Sequence, residues 1–358
     1  MGSQKNINEV QVLATAEYIW LDGASPTQDI RTKTRILSTH SANKIEDFPE
    51  WGFDGSSTWQ AHGSHSDCVL KPVYFCLNPL RTMAGNHYVV VCEVYESDGQ
   101  PHSSNARHNL KELLNKSKGT NPWIGFEQEY TFFEYTRPLG WPDKGGFPEP
   151  QGPFYCGVGE NKVFGRDIVE EHMDVCQRAG LSFYGINAEV MPSQWEFQVG
   201  YRGVSSEASD PLSISDQMWI ARYMLKMVAE KYGVIVSFSN KPMPGDWNGA
   251  GMHTNFSTNA TREKGTGLDA INKVVENLKK NHSKDIRKYG AGLEERLTGL
   301  HETCHIGQFR SGVSDRGASI RIPLQTSQNS CGYFEDRRPG ANADPYKVSA
   351  CLVEAACF

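Results

Sequence analysis

Residues 123–133 read Trp-Ile-Gly-Phe-Glu-Gln-Glu-Tyr-Thr-Phe-Phe, an apolar run interrupted by two acids two positions apart. The aromatic content predicts a strand, and strand side chains alternate faces, so Glu127 and Glu129 point the same way. Two carboxylates side by side on such a strand repel each other unless a cation neutralises them. A salt-bridged edge strand is the plain alternative. The flanking Phe126, Tyr130, Phe132 and Phe133 favour instead a sheet with one polar face lining a cavity inside an apolar shell.

Similar patterns recur downstream. Glu189 and Glu196 lie seven apart in Asn187–Val199, which on one strand would place them on opposite faces. Pro192-Ser193 breaks that run into two strands, and these can return both acids to a common lumen. In Met252–Ser257, residues His253, Asn255 and Ser257 share a face; in Ala318–Ile322, Arg321 opposes Ile320 and Ile322; in Tyr333–Arg337, Tyr333, Glu335 and Arg337 align. Each strand alone reads as a surface strand, whereas the set points to a shared polar cavity. Carboxylates with one imidazole and no thiolate suit Mg²⁺ or Mn²⁺ rather than structural zinc. Arginines facing the same space suit phosphoryl groups and carboxylates, which they clamp bidentately. Metal-assisted phosphoryl transfer from a nucleotide follows as the reaction class.

At 358 residues the chain has room for one large domain or two ordinary ones. Its first hundred residues read as strand and loop: Tyr18–Leu21 ends at Asp22-Gly23, Val73–Leu77 at Asn78-Pro79, and His87–Tyr95 at Asp98-Gly99. Helical patterns follow at 105–117, 166–179, Ser215–Tyr232 and 268–282, with a last helix capped by Asp344 and begun by Pro345. The expected division is a small β domain over 1–104 and a larger α/β domain over 105–358.

Lys+Arg 36 against Asp+Glu 42 leaves a net charge of −6, which argues against a nucleic-acid partner. The longest aliphatic run, Val89–Cys92, is far short of the ~20 apolar residues that span a bilayer, so no membrane is expected. MGSQKNINEV has no signal-peptide core, no transit pattern and Asn6 where myristoylation wants Ser or Thr; the C-terminal EAACF is no CaaX box. A cytoplasmic protein is expected. The cysteine count of 9, without a C-x-x-C pair, predicts reduced thiols rather than a disulfide framework or zinc cluster.

Two motifs compete for the site. His301-Glu-Thr-Cys-His305 matches H-E-x-x-H, whose zinc chemistry needs both histidines on one helical face; Gly299 and Gly307 bracket it and no apolar helical period runs through it. The Gly-rich stretch Pro242–Gly251 reads as a loop and, lying just before His253, as a place for close backbone approach to a ligand. Neither G-x-x-x-x-G-K-[ST] nor G-x-G-x-x-G occurs.

Taken together, Trp51–Thr58 (WGFDGSST), Phe126–Tyr130, Asn187–Gln198 and Asn248–Ser257 (NGAGMHTNFS) resemble glutamine synthetase of the eukaryotic type. So do Arg296–Gly299 with His301–Thr303, Arg316–Pro323 and Gly332–Arg338. These blocks run through nearly the whole chain in family order. The resemblance implies an α+β protein: a small N-terminal β-grasp-like domain and a larger catalytic domain whose curved, mainly antiparallel sheet forms an active-site funnel. It implies ATP-dependent ligation of ammonia to the side chain of L-glutamate through γ-glutamyl phosphate, with Mg²⁺ or Mn²⁺. It also implies stacked rings in which a neighbour's N-terminal domain completes each site.

Position by position, the resemblance assigns Glu129, Glu189 and Glu196 to the metal site nearer glutamate and ammonia, and Glu127, His253 and Glu335 to the one holding the ATP phosphates. Arg296 and Arg337, with Asn248 and Gly249, match the glutamate clamp; Arg316 and Arg321 match the arginines facing the transferred phosphate. Trp123, Asn255, Phe256, Ser257 and Tyr333 match the nucleotide region, Glu196 bordering it. Asp54, Ser57 and Tyr155 match the ammonium pocket, and Glu302 the flap carboxylate. The chain departs from the family pattern at Leu300, at Asp315, at Trp59–His62 and in a longer segment over 201–216. A γ-glutamyl-amine ligase and a catalytically silent assembly protein on the same fold are the alternatives; the intact Asp54, Tyr155 and Glu302 oppose the first and the full ligand set opposes the second.

Overall fold

The computed structural model describes residues 12–358. The N-terminal stretch read above as carrying neither a targeting signal nor a lipidation pattern lies outside the described residues. Two compact units divide the chain, one built from 12–24, 29–105 and 178–180, the other from 25–28, 106–177 and 181–358.

The first unit is a five-stranded sheet of β1 (Thr15–Leu21), β2 (Ile30–Ile36), β3 (Trp51–Asp54), β4 (Asp67–Leu77) and β5 (His87–Glu96), in the order β2-β1-β5-β4-β3. The central pair β1 and β5 runs parallel, Thr15 opposite His87, and the other pairs run antiparallel. Its core gathers Tyr18, Trp20, Phe48, Phe53, Leu70 and Val90, with the Trp20 and Phe53 rings 5.0 Å apart. Edge strand β2 carries Arg31, Lys33 and Arg35 on one half-buried face, Lys33 Nζ 3.7 Å over the Trp51 ring, and such charge on an edge discourages further strand pairing. In β4 the register slips between Pro72 and Tyr74, where the proline has no N–H for the ladder.

The second unit holds a nine-stranded, curled sheet. Its strands are β6 (Trp123–Glu134), β7 (Arg137–Pro138), β8 (Phe183–Ala188), β9 (Gln194–Gly200), β10 (Ile235–Ser237), β11 (Met252–Ser257), β12 (Ser311–Val313), β13 (Ile320–Ile322) and β14 (Phe334–Asp336). The order is β12-β13-β14-β11-β6-β9-β8, with β7 and β10 also on β6, and only β12–β13 is parallel. Eight helices accompany the sheet: α1 (Ala106–Lys116), α2 (Arg166–Arg178), α3 (Pro211–Lys231), α4 (Asn259–Arg262), α5 (Gly267–Asp285), α6 (Leu293–Arg296), α7 (Leu324–Asn329) and α8 (Pro345–Cys357).

Helix α3 is buried almost throughout its middle, which explains why it lacks a single polar face, and it packs on β6 and β9. It begins at Pro211, four residues before the expected Ser215, because Asp210 caps it: Oδ1 accepts from the N–H groups of Leu212 and Ser213. Asp344 and Pro345 start α8 in the expected way, Asp344 Oδ1 accepting from Tyr346 N at 2.9 Å. A buried ion pair ties the helices: Arg107 of α1 donates twice to Asp216 of α3, at 2.7 and 2.8 Å, and Tyr346 of α8 donates to the same carboxylate at 2.6 Å. Among the described residues no helix is long and apolar enough to cross a membrane, and the cysteines are all unpaired thiols.

Candidate active site

Strand pairing brings the acids together. On β6, Glu129 lies opposite Glu196 of β9, while Glu127 lies opposite His253 of β11. Glu335 of β14 lies opposite Asn255 of β11, so the alternation of four strands delivers these side chains to one face. Glu189 follows the end of β8; its N–H donates to Gln194 O across the Pro192-Ser193 turn, which folds it back toward Glu196. The result is a cavity of about 560 Å³ lined by these acids, by Arg296, Arg316, Arg321 and Arg337, and by Asn248, Gly249, Tyr155 and Glu302.

Two triads can each hold a cation: Glu129, Glu189 and Glu196, and Glu127, His253 and Glu335, the donor atoms of each lying within 4.8 Å of one another. They differ in how their charge is met. Among the described residues no basic side chain forms an ion pair with Glu129, Glu189 or Glu196, and all three are at least nine-tenths buried. Their partners are neutral: Gly251 N–H to Glu129, Asn187 Nδ2 to Glu189 at 2.9 Å, and Gln198 Nε2 to Glu196. Burial, then the charge of Glu129, pushes the Glu189 carboxyl up to about 8; burial and the neighbouring acids drive Glu196 well above the usual range, and burial raises Glu129. Three buried oxyanion groups without a cation of their own are what a hard divalent ion requires, so the residues fit one.

The second triad is already half neutralised. Glu335 accepts from Arg337 Nη1 at 2.6 Å and from Arg321 Nη1 at 2.9 Å. Asn255 Nδ2 donates to Glu127 at 2.8 Å. His253 Nδ1 stands 3.7 Å from both carboxylates, and Arg296 Nη2 lies 3.0 Å from its Nε2. Burial and the Arg337 charge hold this imidazole well below its ordinary range, hence neutral and able to act as a ligand.

The Gly-rich stretch borders the cavity at Asn248 and Gly249. It is a loop, and at Gly251 the backbone closely approaches Arg296: a Cβ there would lie 2.4 Å from Nη2. At Gly249 a Cβ would lie 2.7 Å from Arg296 Cγ and from Asn240 O. These glycines make room for the arginine, and Gly249 also lines the cavity. Gly249 is held in turn by Gln194 Nε2, which donates to its carbonyl at 2.9 Å.

The H-E-x-x-H segment is not helical. His301 and Glu302 have φ of 51° and 58°, consecutive left-handed residues, and His301 Nε2 sits 3.0 Å from Asp246. His305 is exposed. This geometry removes the metalloprotease alternative. Glu302 instead overhangs the cavity, its Oε2 4.0 Å from Arg316 Nη1 and its carbonyl accepting from Arg337 Nη2 at 3.4 Å.

Residues expected at a nucleotide site lie along one end of β6 and its neighbours. Ser257 pairs with Trp123 in register, and Arg262 stands 4.0 Å over the Trp123 ring. Phe256 departs from that expectation: its ring is buried, 5.9 Å from Phe334, which leaves only its backbone for a ligand. Tyr333 is half exposed just before β14. Asp54 and Ser57 belong to the first unit, where Asp54 accepts from Ser56 Oγ at 2.6 Å and Ser57 Oγ at 2.8 Å; these bonds hold its carboxyl below the usual range. Tyr184, Asn187 and Gln198 also line the cavity. The last two sit two positions from Glu189 and Glu196, so the same alternation could have pointed to them. Gln151, in a loop, carried no such signal.

Residues 13–97 match the β-Grasp domain of glutamine synthetase and residues 103–304 its catalytic domain. The chain is 52% identical over 344 residues to glutamine synthetases of Streptomyces hygroscopicus and Streptomyces viridochromogenes, covering 96% of each chain. It is 49% identical over 343 residues to the glutamine synthetase of Tuber borchii, covering 96% of this chain and 92% of that one.

Proposed function

The chain belongs to the glutamine synthetase family, and from the layout of its cavity we propose how its residues divide the reaction. The protein is a glutamate–ammonia ligase that makes L-glutamine from L-glutamate, ammonia and ATP. The observation that carries this reading is the buried Glu129–Glu189–Glu196 triad facing a wall of four arginines in one cavity.

A carboxylate resists attack by an amine because oxide is a very poor leaving group. Transfer of the ATP γ-phosphoryl group to the glutamate side chain makes a mixed anhydride whose leaving group is phosphate. Arg296 and Arg337, with Asn248 and the Gly249 backbone, hold glutamate. Arg316 and Arg321 face the phosphoryl group in flight, where fixed positive charge stabilises the transition state. Asn255, Ser257, Tyr333, Trp123 and the Phe256 backbone border the nucleotide. Glu129, Glu189 and Glu196 would hold one Mg²⁺ or Mn²⁺, and Glu127, His253 and Glu335 another. When bound, these ions cancel charge between the two reacting anions.

Ammonium must lose a proton before its nitrogen can attack. Asp54, Ser57 and Tyr155 form its pocket, Asp54 and Ser57 coming from the N-terminal domain (1–104) of a neighbouring subunit in a ring assembly. Glu302 of the catalytic domain (105–358) covers the anhydride and accepts the proton; phosphate then leaves. The protein works in the cytoplasm.

Glutamine formation from ammonia with ATP and Mg²⁺, with methylamine and polyamines as competing amines, tests the reaction; preference for another amine, or no product, overturns it. Co-assembly of Asp54→Ala with Arg337→Ala chains tests the shared site. Partial recovery of activity is expected, and none would refute the sharing.

A further inference from the structure

Gln151 lies in the loop before Tyr155, outside any helix or strand, and is half-buried. Its carboxamide meets two different parts of the cavity wall. Oε1 accepts from Asn248 N at 2.7 Å and Nε2 donates to Asn248 Oδ1 at 2.8 Å. Nε2 also stands 3.3 Å from Nδ1 of His301. We propose that Gln151 is a positioning residue that fixes, with one side chain, the Asn248 amide in the glutamate pocket and the loop that carries Glu302. The proposal rests on the pocket assigned above.

The bonds to Asn248 grip its backbone and its side chain together. Holding Oδ1 decides which way the Asn248 amide faces, so Nδ2 is the group left to donate to a ligand. The second N–H of Gln151 then goes to His301 Nδ1, which must accept and so carries no proton. The ring proton therefore sits on Nε2, directed at Asp246 Oδ1 3.0 Å away.

The tether matters because of backbone strain. His301 and Glu302 both hold left-handed φ, which non-glycine residues keep only when surrounding contacts over-determine it. Gln151 and Asp246 grip the first of the two through its ring; Arg337 grips the carbonyl of the second. Releasing His301 lets Glu302 drift from its place over the cavity. A glutamate at 151 has the same shape but no N–H. It would still accept from Asn248 N, would turn the Asn248 amide over, and would leave His301 unheld.

The experiment compares Gln151→Glu, Gln151→Leu and His301→Ala in the full enzyme. It reads KM for glutamate and for ATP, phosphate released per glutamine formed, and the thermal midpoint. Gln151→Glu should raise KM for glutamate roughly tenfold or more, the usual consequence of misplacing one buried hydrogen-bonding group. KM for ATP should stay within about twofold, and more than one phosphate should be released per glutamine as the anhydride meets water. His301→Ala should raise the phosphate ratio with little change in KM for glutamate. Gln151→Leu should reproduce both effects; if it fails to fold, the isosteric Gln151→Glu carries the test. Wild-type KM for glutamate and a ratio of one in Gln151→Glu overturn the proposal. So does a loss of kcat alone. Absence of glutamine synthesis by the unaltered enzyme overturns the pocket assignment itself, a separate and distinguishable result.

Discussion

Arg222 of α3 donates from Nε to Gln128 Oε1 at 2.9 Å, beneath the strand residues whose neighbours Glu127 and Glu129 face the cavity. The same guanidinium donates to Ala343 O at 2.9 Å and Ala341 O at 3.0 Å, and Gln128 Nε2 donates to Ala341 O at 3.0 Å. Arg222 is 2% exposed, and burial pushes its pKa down to about 9. One buried cation thus joins α3, β6 and the segment after β14 through neutral acceptors. Arg222→Met should cost on the order of 3 kcal/mol or more in urea unfolding, because several buried acceptors lose their donor at once. A loss under about 1 kcal/mol would show that the acceptors find other partners.

The unpaired triad predicts a sign inversion. In chelator, Glu196→Gln should leave the thermal midpoint unchanged or raise it, because it removes one of three mutually repelling buried acids. With Mg²⁺ at about 100 times its dissociation constant, wild type should gain about 2.7 kcal/mol and the variant much less. Scanning both proteins with and without the metal checks this. Equal metal-induced shifts would move the cation elsewhere.

Glu302 should separate the half-reactions. Its side chain is 60% exposed above the cavity, paired loosely with Arg316 at 4.0 Å. Glu302→Ala should bind ATP and glutamate normally yet make glutamine roughly 10²–10⁴-fold more slowly, the usual loss on removing one positioned base. Phosphate release should exceed glutamine formed. Unimpaired synthesis would remove Glu302 from the mechanism.

His172 of α2 sets an acid limit on stability. Its ring is buried beside Phe183 and Phe197, Nε2 lies 2.9 Å from Ala221 O, and burial pushes its pKa down to about 4. The unfolded chain takes up this proton near the ordinary histidine value of about 6.5, the folded one only near 4. Its contribution is therefore complete above about pH 6.5 and falls as pH drops toward 4, by about 3 kcal/mol in all. Buried Asp285, raised to about 6, acts with the opposite sign, gaining toward acid. Unfolding free energies of wild type and His172→Gln from pH 7 to 4 should converge as pH falls; parallel curves would refute the assignment.

What the sequence determined by itself is local and periodic. Alternation in 123–133 put Glu127 and Glu129 on one face, and Asp344-Pro345 started α8, because side-chain direction and helix capping depend on a few adjacent residues. The Pro192-Ser193 break announced that Glu189 and Glu196 could meet, and family blocks supplied the reaction. Register and long-range packing decided the rest. Only the pairing of β6, β9, β11 and β14 made two triads of six scattered ligands. Only the fold gave Glu335 two arginines while leaving Glu196 none. Gln151 and Arg222 reach partners 97 and 94 residues away, Asn248 and Gln128, and no sequence period records such contacts. Periodicity fixes which way a side chain points; what it meets there depends on the free energy of closing the whole chain around it.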